Sequence, residues 1–173
     1  MPSGLTKIDL SMTTGDFAPD GSVDLSGASS VSFPTGTFTP RLYGSGTDGG
    51  ATHTTQEGSY QLVGKFVTCN IRLALSAKNT MAGQVRMDGL PFNIVNDIDK
   101  RPVVLVGALS EGFDVSGETN ATGISAWGLN NSNDLYFVIT RTTGTGGGGV
   151  DTLQATEIDD DFTVYLTFTY EVA

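Results

Sequence analysis

The sequence predicts an all-β protein, an antiparallel β-sandwich preceded by an extended N-terminal arm, and three observations carry that prediction. Gly, Thr and Ser fill 60 of the 173 positions. Gly loses the most backbone entropy in a helix and Thr is stiff at its first torsion, so this composition opposes helices. Several stretches alternate apolar and polar residues with a period of two, the signature of half-buried strands. No comparable window places apolar residues at i, i+3, i+4 and i+7.

Taken in order, the first 36 residues form an arm or short β stalk, and residues 37–173 form the body. The arm holds turn clusters such as Pro19-Asp20-Gly21-Ser22 and Ser26-Gly27-Ala28-Ser29. Only brief alternating pieces, Lys7 to Leu10, Ser22 to Leu25 and Val31 to Phe33, lie around them. Such a segment cannot bury a core alone and is expected to order against other chains. In the body, Val67, Cys69, Ile71, Leu73 and Leu75 share one face of a strand over Lys65 to Ser76, opposite Thr68, Asn70 and Arg72. Gly58 to Val63 supplies the preceding strand, with a tight connection at Gly64. Gln84 to Asp88, Val103 to Leu109 and Leu135 to Thr140 follow. The clearest alternation closes the chain, where Phe162, Val164, Leu166, Phe168, Tyr170 and Val172 point one way. Asp159-Asp160-Asp161 reads as a charged turn before that strand. Weaker segments at Phe38 to Tyr43, Thr122 to Trp127 and Thr152 to Ala155 bring the body to about eight strands, a number and spacing suited to a jelly roll.

Composition also excludes functions. Acidic residues outnumber basic ones 19 to 9, giving a net charge of −10. Clustered Lys and Arg are what nucleic acid and anionic membranes require, so neither is an expected partner. One Cys rules out an internal disulfide or a Cys-rich zinc site. No apolar run approaches a membrane span and the N-terminus carries no secretory pattern, so a soluble product made in a cytoplasm is expected.

Catalytic equipment is sparse. Cys69 lies on the apolar face of its strand and reads as a small core residue. The single His53 falls in a Gly- and Thr-rich stretch and reads as a solvated loop residue. Gly44 to Gly49 and Gly144 to Gly149 both fit GxGxxG, but neither precedes helical periodicity, so both read as flexible loops. Asp97-x-Asp99 and the Asp159 triplet lack EF-hand spacing. No catalytic, metal or cofactor-binding residue is therefore expected. What remains is a β body with polar loops and edge strands that invite pairing, which favours a structural or binding role.

The order of elements from Thr37 to Phe92 resembles a module of tailed-bacteriophage virion proteins, the family of head fibres, capsid decoration proteins and tail fibres. The matching residues are Phe38-Thr39-Pro40, the loop Gly44 to Gly50, Gly58-Ser59-Tyr60 with Gly64, the strand Val67 to Leu75, Ser76-Ala77-Lys78, and Gly89-Leu90-Pro91-Phe92. Phe38 stands where the family commonly has Trp. Val23 to Gly36 is similar to short β repeats that precede distal domains of phage fibres, which intertwine as three-chain stalks. The resemblance implies a homotrimeric jelly roll assembled in the host bacterial cytoplasm and carried on the virion. With so short an arm, it implies a decoration or cement protein, or a short head fibre, bound to the major capsid protein. Leu5, Ile8, Leu10, Met12 and Phe17, apolar residues on a polar arm, are the expected capsid anchors. The alternative is a tail fibre or tailspike tip that contacts a host receptor or glycan, with Tyr43, His53 and Trp127 as candidate contacts.

Overall fold

The computed structural model describes residues 33–113, 121–141 and 149–173. The expected alternating pieces of the arm before Phe33 and all five anchor candidates lie outside these residues. Among the described residues there are ten strands: β1 (Thr35–Phe38), β2 (Arg41–Gly44), β3 (Thr52–Val63), β4 (Phe66–Ala77), β5 (Val85–Asp88), β6 (Val103–Phe113), β7 (Ala121–Gly128), β8 (Leu135–Arg141), β9 (Gly149–Thr152) and β10 (Ile158–Glu171). All pairings are antiparallel. The strands form two sheets, ordered β1-β3-β4-β10-β6 and β6-β7-β8-β5-β2, with β9 beside the second half of β8. β6 serves both, pairing with β7 through Val103–Leu105 and with β10 further along. The architecture is a β-sandwich.

The period-two reading of the long strands holds. In β4, Val67, Cys69, Ile71, Leu73 and Leu75 are all buried, and in β10 so are Phe162, Val164, Leu166, Phe168 and Tyr170. They meet Leu42, Val85, Met87, Leu135, Phe137 and Ile139 of the other sheet in one core, where Phe137 and Phe162 pack edge to face at 6.4 Å. Each such side chain contributes about 1.5–3 kcal/mol by leaving water. The Gly89-Leu90-Pro91-Phe92 segment plugs one end: Leu90 is buried, and Phe92 meets Tyr60 edge-on at 5.3 Å. The Tyr170 hydroxyl donates to Phe92 O at 2.9 Å and accepts from Phe92 N at 3.3 Å.

Several sequence expectations need correction. Phe38 to Tyr43 is two strands rather than one, because Thr39-Pro40 carries the chain from the edge of one sheet to the edge of the other. The Asp triplet is not a turn; it lies inside β10, where the register with β6 slips between Ile158 and Thr163. The extra residues of that bulge let three exposed carboxylates stand on a strand. Thr152 to Ala155 is the end of β9 followed by a single 3-10 turn at Ala155–Glu157. The Gly44–Gly50 stretch is held in place: Gly46 N and Thr47 N donate to Ala82 O, and Ala82 N donates back to Thr47 O. Gly49 has φ +84° and lies so close to Met81 that a Cβ would collide with its backbone.

Candidate functional site

Alternation that buries one face of the second sheet presents the other to solvent. Leu42, Val85, Met87, Leu135, Phe137 and Ala126 point inward. Tyr43, Arg86, Tyr136 and Trp127, each flanked by such residues, therefore stand on the outer face, half-buried. The ladder places Tyr43 opposite Arg86, Arg86 opposite Tyr136, Tyr136 opposite Trp127, and Trp127 opposite Val103. One row across five strands thus reads Tyr, Arg, Tyr, Trp, Val.

The row is braced by polar contacts. Trp127 and Tyr136 pack edge to face at 5.8 Å. The Tyr43 hydroxyl donates to Asp134 Oδ2 at 3.1 Å, and the Arg41 guanidinium lies 5.5 Å from the centre of the Tyr43 ring. Arg41 forks onto Asp88, with Nε–Oδ1 at 3.2 Å and Nη2–Oδ2 at 2.6 Å, and reaches Asp48 Oδ2 through Nη1 at 2.7 Å. These two carboxylates hold the Arg41 pKa above its ordinary value, and Arg41 in turn lowers that of Asp48. Burial, then the Asp134 charge, raises the Tyr43 phenol. Arg86 Nη2 donates to Gln84 Oε1 at 3.1 Å.

Of the three receptor-contact candidates, Tyr43 and Trp127 share this row and His53 does not. His53 is on β3, not in a loop, and its Nε2 accepts the amide of Leu42 at 3.1 Å. Leu42 belongs to β2, the edge strand of the opposite sheet, so the imidazole satisfies an amide that the β5 ladder leaves unpaired. Burial lowers the His53 pKa, matching the neutral ring that an accepting Nε2 requires. Arg86 and Tyr136 were not singled out in the sequence. Their signal was local, a polar or amphipathic residue between two core residues, but their alignment with Tyr43 and Trp127 depends on pairing between distant strands.

Cys69 is fully buried and desolvation pushes its thiol up to about 12, as a core residue and not an activated nucleophile. It pairs with Tyr60, whereas His53 pairs with Leu75. Six residues of β4 separate the two positions, about 20 Å at strand spacing, so they form no dyad. Among the described residues, no three His, Cys, Asp or Glu side chains gather to hold a metal ion.

A second surface lies at one end of the sandwich. Phe66 and Val103 are 54% and 64% exposed and line a groove of about 520 Å³ with Pro102, Tyr170 and the Lys100–Glu171 ion pair. Val63, 45% exposed, is the cross-strand partner of Phe66 at the β3–β4 turn. A third surface is an open groove of about 620 Å³ on the first sheet, of mixed lining, containing Phe38, Ser59, Asn70, Thr167 and the Arg72–Tyr165 pair. Neither a family model nor a curated protein matches this chain.

Proposed function

We propose that this chain is a bacteriophage virion structural protein, a capsid decoration or cement protein or a short head fibre, that binds the assembled capsid as a homotrimer. In this reading the body is a jelly roll, residues 1–36 anchor it to the major capsid protein, and the protein is not an enzyme and needs no cofactor. Beyond the order of sequence motifs, the observation that supports it is the apolar end built by Val63, Phe66 and Val103. Large exposed apolar side chains clustered at one place favour coverage by a neighbouring chain. Deletion of Met1 to Asp20 should abolish capsid occupancy, read by imaging of intact particles, while leaving the body folded by circular dichroism. Full occupancy by the truncated chain would overturn the reading.

A second reading, a tail fibre or tailspike tip that contacts a host receptor or glycan, is favoured by one observation. Tyr43 and Trp127, far apart in sequence, fall on a single row of the second sheet. Imaging separates the two readings by the location of the protein on the head or the tail.

A further inference from the structure

We propose that the row Tyr43–Arg86–Tyr136–Trp127 is a binding platform for a neutral saccharide. The inference deepens the second reading and rests on it. The four residues sit on consecutive strands β2, β5, β8 and β7. Three inter-strand steps make the row about 14 Å long, enough for a short oligosaccharide. Three of its members are aromatic, and all four are half-buried and held within strands. Such rings offer apolar surface at little entropic cost, while their N–H and O–H groups keep a polar rim. A pyranose ring, with an apolar C–H face and hydroxyls around its edge, matches both features.

The charge pattern selects among occupants. Arg41 is already engaged by Asp48 and Asp88, and the Tyr43 hydroxyl by Asp134. The rim therefore holds three carboxylates against Arg41 and Arg86, in a chain of net charge −10. Anionic sugars and a second copy of this acidic chain are both disfavoured there by like-charge repulsion. A neutral saccharide carries no such penalty, and the carboxylates can accept its hydroxyl hydrogens.

The chain contains a single Trp beside five Tyr, so fluorescence excited at the red edge of the indole band, where tyrosine does not absorb, reports on Trp127 alone. The intact protein is titrated with cellohexaose, with maltohexaose and, as an acidic control, with oligogalacturonate. A saturable change with a neutral hexaose and none with the acidic one is expected. Tyr136→Ala and Tyr43→Ala should each weaken binding about ten-fold by calorimetry, measured at a temperature where circular dichroism shows both variants fully folded, since each also loses the packing that braces the row. Equal binding by these variants would overturn the platform while leaving the second reading intact. Binding to host cells without binding to either neutral hexaose would also overturn the platform but not that reading, and binding to neither would remove both. If Tyr136→Ala instead shifted the sedimentation of the protein to a smaller species, the row would be a self-contact and the proposal would fall.

Discussion

His53 shows how one side chain can join two sheets. Its Nε2 accepts the Leu42 amide, and Leu42 is fully buried on the edge strand β2. A protonated imidazole has no lone pair to offer, so acid must either break this bond or leave the buried amide without a partner. Burial lowers the pKa in the folded protein below the ordinary 6.5, with the Ala51 carbonyl and Asp88 opposing that shift and the Arg41 charge adding to it. Between the folded and unfolded values the unfolded chain binds more protons, so stability rises with pH across that window. The contribution of His53 is complete above 6.5 and is lost as pH falls through the folded value. Because the chain holds one His, its C2 proton titrates alone in an NMR spectrum, and a midpoint below 6.5 is expected. His53→Ala should cost about 1–3 kcal/mol at pH 7 in urea unfolding and less at lower pH, since the wild type loses the same bond there. The sequence placed His53 in a loop because Gly and Thr surround it; the strand forms there because β4 supplies a long partner, which local composition does not reveal.

At the scale of elements, the strands legible in the sequence are those whose alternation is set by the core. β4 and β10 run side by side, and each alternate residue meets the opposite sheet, so the buried pattern is written directly into the chain. The short strands β1, β2 and β9 carry too few residues for a period to show, and the bulge at Asp159–Asp161 interrupts the period that would have announced a longer β10. Glycines within strands have a similar non-local logic. Gly58 lies opposite Phe38 in the β1–β3 ladder, and a Cβ added there would stand 2.6 Å from the Phe38 ring. Gly123 in β7 has open space at the same position. Gly58→Ala should therefore destabilise the protein by about 1–3 kcal/mol through displacement of the ring. Gly123→Ala should be neutral or stabilising by up to about 1 kcal/mol, because it restricts only the unfolded chain. Paired urea titrations of the two variants test this contrast, and equal losses would contradict it. The aromatic row of the second sheet was illegible for the same reason that Gly58 was: each member is visible alone, but the register joining them comes from pairings across the chain.

For the whole molecule, the ordering of strands leaves β1 and β2 as the two ends of one continuous path, yet Thr39-Pro40 joins them directly. The two sheets are thus linked along one side by β6 and on the other by this crossing. The crossing is secured by the His53–Leu42 bond and by Gln56 Nε2, which donates to Pro40 O at 2.9 Å. The crossing ties the two edges together but leaves β1, β2 and β9 with one ladder partner each. Among side-chain surfaces, the apolar end at Val63, Phe66 and Val103 gathers three large exposed apolar side chains. Phe66→Asp with Val103→Asp places two carboxylates beside Glu171 on an already acidic protein. Both side chains are more than half exposed, so the fold should lose little, with an unfolding midpoint within a few degrees of wild type. If this end joins copies of the chain, sedimentation equilibrium of the double variant should shift from trimer toward monomer at equal protein concentration. An unchanged trimer would mean that association depends on other surfaces, and a monomeric wild type would remove the role assigned to this end in self-association.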